Sequence, residues 1–300
     1  MNKAGAGQSD LVPDRQLIDT RLGPIEYARR GEGTPVVILH GSPGGIDAAA
    51  LMAGFLPRDE VSAILLSRPG YLGTELGGRR TIDEQADLIV ALLDALDISS
   101  AGVLSWSGGG PCGYRLAVRH PDRVRALVAF AALSKSYEAP ATSLSDRLMF
   151  TTSAGQWLMR VLAAHRPSDF VAGTLRSESS LTGDALKARV AEVLADPAKL
   201  QFVLELGPTA SQTRERRTGY ENDLAQFEAI DSLELDQITA PTLVIQGTAD
   251  TDVTPDHSSW AAATIPGARR LDLVDGSHLA LYTHPDAAAA QRRVIEHLLT

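Results

Sequence analysis

The chain has 300 residues, 44% of them hydrophobic and 22% charged, enough for one large domain or a core with an insertion. A formal charge of -9 argues against nucleic acid or an anionic membrane as partner, because phosphates are bound by Lys/Arg-rich faces. No apolar run of about 18 residues suggests a transmembrane helix, and the single cysteine, Cys112, excludes an internal disulfide and fits a reducing, cytoplasmic setting.

In chain order, residues 1–15 read as a loose polar tail without the apolar stretch of a signal peptide. Gln16–Thr20 and Ile25–Arg30 read as strands around a Leu22-Gly23-Pro24 turn. Pro35–Leu39 and Val61–Leu66 are continuous apolar runs, as expected of strands buried on both faces. The first ends in the loop His40-Gly41-Ser42-Pro43-Gly44-Gly45 and the second in Ser67-Arg68-Pro69-Gly70-Tyr71. Thr81–Leu96 has helical apolar spacing, with Thr81 as N-cap and Glu84 completing a capping box. Gly102–Ser105 is a short strand, followed by a helix to about His120 and a strand at Val124–Phe130. The alternation then stops, and residues 134–233 read as amphipathic helices. It resumes with strands at Thr242–Gln246 and Arg270–Val274, and a helix at Pro285–Leu299 closes the chain. Buried strands alternating with helices imply an α/β fold with a mostly parallel sheet covered on both faces. The expected organisation is a core of residues 16–133 and 234–300 interrupted by a helical insertion, 134–233.

Chemistry concentrates at the ends of the predicted strands. Ser105-Trp106-Ser107-Gly108-Gly109 links a strand to a helix, with small residues two positions either side of Ser107. Such a sharp turn exposes a serine as a nucleophile. Here Ser105 occupies the first small position, where glycine is usual. A serine hydroxyl needs a base within reach and a third group to orient that base. Asp250 follows the strand Thr242–Gln246, and His278 follows Arg270–Val274. All three lie at the C-terminal ends of parallel strands, where open α/β sheets hold their ligands. Asp252 is the alternative acid and His284 the alternative base.

The motifs His40-Gly41-Ser42-Pro43-Gly44, Ser105–Gly109, Gly247–Asp250 and Gly276–His278, in this order, resemble those of the α/β-hydrolase family. The resemblance runs from about Gln16 to the C-terminus. It implies an eight-stranded, mostly parallel sheet with residues 134–233 as a helical cap. It assigns Ser107 as nucleophile, His278 as base and then acid, and Asp250 as the orienting carboxylate. It also implies an oxyanion hole built from the backbone N–H groups of Ser42 and Gly108; Pro43 has no N–H to offer. The expected function is hydrolysis of a small to medium, apolar ester or lactone, with no metal or cofactor. The His-Gly-x-Pro-Gly loop also resembles that of proline iminopeptidases. An aminopeptidase would need cap carboxylates for a substrate amine, with Glu205 and Glu221 as candidates. A ligand receptor or a lyase on the same fold is the alternative of another class.

Other readings compete at several positions. Gly108-Gly109-Gly110-Pro111-Cys112-Gly113 fits a dinucleotide fingerprint, but no acidic residue ends the next strand to hold a ribose. The His40 loop lacks the Lys-Ser/Thr of a phosphate-binding loop. Asp250, Asp252, Asp256 and His257 match no metal-ligand spacing. Cys112 reads as a small buried hydrophobe, His120 as a helix end, and Arg68 as a tie for its own loop. Met149, Phe150, Trp157, Leu158, Met159, Leu162, Phe170 and Phe202 supply apolar surface to the insertion.

Overall fold

The computed structural model describes residues 12, 14–139, 151–212 and 214–300. Most of the expected tail, and the insertion residues Met149 and Phe150, lie outside these residues. Eight strands form one sheet: β1 (Gln16–Thr20), β2 (Gly23–Arg30), β3 (Thr34–Leu39), β4 (Val61–Leu66), β5 (Ala101–Trp106), β6 (Val124–Phe130), β7 (Thr242–Gly247) and β8 (Arg269–Leu273). Their spatial order is β1-β2-β4-β3-β5-β6-β7-β8. β2 pairs antiparallel with both β1 and β4, and all other neighbours are parallel.

β4, β5 and β7 are buried at every position. Successive side chains point to opposite faces, so both faces must be apolar. Val36, Ile38, Ala63 and Leu65 join one hydrophobic cluster, and Val37, Leu39, Ile64 and Leu66 join the other. β5 extends further than its apolar run suggests, because Trp106 still pairs in register with Phe130.

Helix α1 (Ile46–Met52) follows β3, and α2 (Ile82–Ala95) precedes β5. At the head of α2, Thr81 Oγ1 accepts from the Glu84 N–H at 3.2 Å, and Glu84 Oε2 accepts from the Thr81 N–H at 2.8 Å. This is the capping box expected from the sequence. Helix α3 (Gly110–Arg119) leaves the Ser107 turn with Pro111 in its first turn, where a missing N–H costs no hydrogen bond. No sequence pattern marks α1, which is buried at all seven positions. A helix covered on every side carries no amphipathic period.

Between β6 and β7 the described residues form α4 (Ser153–His165), α5 (Pro167–Ser177), α6 (Gly183–Ala195), α7 (Pro197–Thr209) and α8 (Arg214–Glu228). α9 (Pro255–Thr264), α10 (Ala280–Thr283) and α11 (Ala287–Leu299) complete the chain. On α7, Phe202 stacks on Tyr282 of α10, with ring centroids 4.0 Å apart and planes at 9°. The α5–α6 connection is stitched to the core by backbone bonds: the Ser180 N–H donates to Ala249 O at 2.8 Å, and the His278 N–H to Glu178 O at 2.9 Å. No described helix is long and apolar enough to cross a membrane.

β3 lies between β4 and β5, and the chain leaves β3 and β5 in opposite directions along the sheet. The crevice at this switch point is where such sheets receive ligands. The turn after β5 closes tightly on β3. A Cβ at Gly109 would sit 2.4 Å from Leu39 O and 2.7 Å from His40 O. Gly109→Ala is therefore expected to cost about 1–3 kcal/mol in urea unfolding. Gly54→Ala, where a Cβ meets nothing within 4 Å, is the control and should leave stability nearly unchanged. Equal stabilities for the two variants would contradict this packing account.

Candidate active site

Ser107 begins the turn between β5 and α3 with φ at 54°, a left-handed conformation that costs a non-glycine residue free energy. Its neighbours permit the turn by being small. Ser105 packs against Gly113, where a Cβ would lie 3.1 Å from Ser105 Cβ, and its buried hydroxyl donates to Val128 O at 3.1 Å. Serine therefore serves in the first small position with its hydrogen bond satisfied. Each glycine that fits the dinucleotide pattern faces protein: Gly108 faces Ser42 and Phe227, Gly109 the end of β3, Gly110 Ala132 and Leu133, and Gly113 Ser105. Close packing explains the run without a pyrophosphate.

His278 sits past β8 and Asp250 past β7, both buried. His278 Nδ1 lies 2.8 Å from Asp250 Oδ2. Asp250 is saturated with donors: its Oδ1 accepts from the Asp252 and Val253 N–H groups at 2.9 and 3.0 Å, and its Oδ2 from Gln246 Nε2 at 3.0 Å. Asp252, the alternative acid, approaches the other ring nitrogen, with Oδ2 3.3 Å from His278 Nε2. Its Oδ1 accepts from Tyr137 OH at 3.1 Å. Among the described residues no hydrogen bond joins Ser107 to His278, although both line one cavity. Catalytic contacts of this kind often tighten only when substrate arrives.

Burial opposes a charge on His278, but Asp250, Asp252 and the Asp250 hydrogen bond outweigh it and push its pKa up to about 10. Burial, then the Asp252 charge, pushes the half-buried Glu178 carboxyl up to about 7. Glu178, Asp252 and His278 each bring one polar atom within 4.8 Å of the others.

The loop after β3 faces Ser107. A Cβ on Gly41 would lie 3.2 Å from Ser107 Cβ, and one on Gly108 would lie 2.6 Å from Ser42 Cβ. Ser42 and Gly108 are thus in contact beside Ser107. His40 is buried, and burial followed by the Arg68 charge holds its pKa well below the usual value. Its neutral ring donates from Nδ1 to Gly41 O at 2.7 Å and accepts the Arg68 N–H at Nε2, 3.0 Å away. Arg68 does tie its neighbourhood together, donating to His40 O at 3.1 Å and to Gly41 O at 3.3 Å.

The cavity has a volume of about 330 Å³. Trp106, Leu133, Leu206, Leu224, Phe227 and Leu279 make an apolar lining. Glu178, Asp252, Tyr137, Tyr220 and Gln212 bring polar groups to it. Of the two carboxylates considered for an amine, Glu221 is exposed and Glu205 bonds Gln201 on the surface, and neither lines the cavity. Glu178 does, and no local pattern marks it, because it simply follows α5 in a connection. His284 turns away, with Nε2 2.9 Å from Val274 O. His257 accepts the Ser134 N–H at 3.1 Å, a structural tie. Cys112 is buried, which pushes its thiol up to about 12. Phe202 and Phe170 pack into the core, while Trp157 and Leu158 are exposed.

A serine at a strained turn after β5 and a histidine–carboxylate pair at the same sheet edge thus share one cavity of an open α/β sheet. A family model described as the alpha/beta hydrolase fold matches residues 34–285, and the chain belongs to that family. It is 47% identical to the alpha/beta hydrolase fold protein from Nakamurella multipartita, with a TM-score of 0.93 over 95% of this chain and 99% of that one. It is 25% identical to the uncharacterized hydrolase YcgS of Bacillus subtilis, over 86% of this chain and 89% of that protein. It is also 27% identical to the pimeloyl-[acyl-carrier protein] methyl ester esterase of Neisseria meningitidis, over 78% of this chain and 81% of that protein.

The carboxylates around His278 predict its titration. In an NMR titration His278 should hold its proton well above pH 6.5, towards about 10. Asp252→Asn removes a negative charge that stabilises the imidazolium, so it should lower that pKa. Because the folded pKa exceeds the unfolded one, this group's contribution to stability is complete below about pH 6.5 and fades as pH rises towards 10. A His278 pKa unmoved in Asp252→Asn would show that the 3.3 Å approach carries no charge coupling.

Proposed function

We propose that this protein is a serine hydrolase that transfers the acyl group of an ester-like substrate to water. Substrate entry displaces Asp252 from His278 Nε2 and lets the ring give its extra proton to solvent, and Ser107 Oγ then attacks the carbonyl carbon while Nε2 of the neutral ring takes its proton. The oxyanion that forms is held by the Ser42 and Gly108 N–H groups, each such donor contributing about 3–4 kcal/mol to the transition state. His278 then protonates the leaving oxygen, and the ester bond breaks to leave an acyl group on Ser107. A water, deprotonated by His278, releases the acid. Asp250 fixes the ring through Nδ1, so that Nε2 is available for this work once Asp252 has moved off it, and stabilises the imidazolium. The helices of residues 134–233 act as a cap that covers the acyl group.

The observation that carries this reading is the strained Ser107 on a cavity shared with His278, whose Nδ1 is held 2.8 Å from a buried, donor-saturated Asp250. The largely apolar lining favours a small to medium apolar acyl group, and the esterase among the relatives supports ester chemistry. The Asp252 approach to Nε2 means that the base must exchange one partner for Ser107 when substrate binds.

A second reading rests on Glu178 and Asp252 in the cavity: a substrate with an ammonium group, as an aminopeptidase takes. Two acidic side chains at one end would offset a cation's desolvation there.

Turnover of p-nitrophenyl butyrate and of proline p-nitroanilide separates the readings. Ester turnover should dominate, and Ser107→Ala should abolish both turnover and fluorophosphonate labelling, lowering kcat by at least about 10³-fold. Labelling that persists in Ser107→Ala would remove the nucleophile assignment. Glu178→Gln should leave neutral-ester KM within about 2-fold, whereas dominant anilide turnover that Glu178→Gln weakens by about 10-fold or more in KM would favour the amine reading.

A further inference from the structure

Helix α8 is polar along nearly its whole length, yet Arg216, Gly219, Asn222 and Asp223 on it are buried. Arg216, Gly219 and Asp223 are three and four residues apart, so they share one face. That face lies on the two loops that end β3 and β4. Gly219 lets the helix touch its partner: a Cβ there would sit 2.4 Å from the Tyr71 ring. The Gly219 N–H donates to Gly70 O at 2.9 Å, and the Leu72 N–H to Glu215 O at 2.8 Å.

Asp223 is 1% exposed and gathers four donors. Arg68 reaches it twice, at 3.0 Å to Oδ1 and 2.5 Å to Oδ2. Tyr71 OH donates to Oδ2 at 2.6 Å, and Ser42 Oγ donates to the same oxygen at 2.6 Å. Burial, then the Asp223 charge, raises the Tyr71 pKa far enough to keep its proton in place.

These bonds converge on a single peptide unit. The carbonyl of Gly41 and the N–H of Ser42 belong to one planar group, so fixing one end fixes the other. Arg68, itself held by Asp223, donates to Gly41 O, as does His40 Nδ1. Asp223 grips the other end through the Ser42 hydroxyl. The loop holds three glycines, Gly41, Gly44 and Gly45, and so has little stiffness of its own. Its order comes from outside. About two turns back along α8, Arg216 bonds Gly44 O and pairs with the buried Asp47 at 2.6 Å. Among the described residues the Ser42 N–H itself has no acceptor and is free for a ligand.

We propose that Asp223 is a positioning residue for the reaction: carried on a helix of the insertion, it aims the Ser42 N–H at the site of the oxyanion. The proposal rests on the reading of Ser42 and Gly108 as oxyanion donors. The Ser42 hydroxyl, committed to Asp223, acts here as a tether. Polarisation adds to aim, since donors on Gly41 O strengthen the N–H of the same peptide as a donor.

The test compares Ser42→Ala, Tyr71→Phe and Asp223→Asn with the parent enzyme. Ser42→Ala keeps the backbone N–H and removes only the tether. Tyr71→Phe keeps the Arg68–Asp223 pair. Both are therefore informative even if Asp223→Asn, which leaves Arg68 buried without its counter-charge, fails to fold. Readouts are kcat and KM for p-nitrophenyl butyrate, and affinity for butylboronic acid, which forms a tetrahedral anionic adduct on a nucleophilic serine. The two tether variants should lose roughly 5- to 50-fold in kcat and in boronate affinity together, with KM within about 2-fold. Parental kcat and boronate affinity in both would overturn the proposal while leaving the nucleophile reading intact. So would equal losses of substrate and boronate affinity, the sign of a collapsed pocket. A parent that neither turns over esters nor binds the boronate would overturn the nucleophile reading, and this one with it.

Discussion

The structure turns on how closely the chain leaving β5 is pressed against the end of β3. Gly109 lies on the carbonyls of Leu39 and His40, with no room for a Cβ. That approach forces a turn too sharp for ordinary backbone, so Ser107 takes a left-handed conformation. It also brings Gly108 against Ser42 from the neighbouring loop. Residues from distant stretches of chain therefore meet next to one serine. Gly110 against Ala132 and Gly113 against Ser105 repeat the contact further along α3. One packing requirement thus accounts both for the glycine run and for the composition of the site.

Electrostatics then sets the character of the cavity. One histidine faces two carboxylates on its two nitrogens, with a third nearby. Asp250 is wholly committed, with backbone and Gln246 donors on both oxygens. Asp252 is half-exposed and less tightly bound. Glu178 sits where burial and Asp252 both disfavour its charge, which pushes its carboxyl up to about 7. Groups this close titrate as a set, and protonation of any one changes the others. The state of His278 is accordingly a property of the cavity and of whatever fills it.

Much of this was legible in the sequence, for identifiable reasons. The strands β3, β4 and β6 are read from apolar runs because a parallel sheet buried on both faces demands them. The capping box of α2 is read from two residues with a fixed geometric relation. Ser107, Asp250 and His278 are found because each follows a strand end in a small-residue turn. Other features left no such mark. α1 is apolar all round and lacks a period. Glu178 matters through a contact made across the cavity, which no local pattern encodes. Asp223 was hidden for a different reason: on an apparently solvated helix, Asp223 and Arg216 look like surface charges. The one local hint is Gly219 between them, a residue that weakens an isolated helix and so marks a close approach.

Burying charge on α8 is costly unless every group is paired. Here Arg68 and Asp223 satisfy one another and four further partners, namely Gln85, Tyr71, Ser42 and the His40–Gly41 backbone. A hydrophobic seam could hold the helix as firmly, but it would not specify direction to the Gly41–Ser42 peptide. Charged hydrogen bonds do, because they fix distance and angle together. The contrast with α7 is informative. α7 meets the core through Phe202 stacked on Tyr282, a contact that tolerates exchange of one apolar side chain for another. The insertion therefore docks in two ways. Through α8 it is part of the scaffold that fixes the Gly41–Ser42 peptide. Through α7 it adds Leu206 to the cavity wall on an apolar seam, while α8 itself contributes Leu224 and Phe227 to that wall. Substitutions on the α7 seam can therefore reshape the cavity with less effect on the loop after β3 than substitutions on α8, which carries lining and buried ion pairs together.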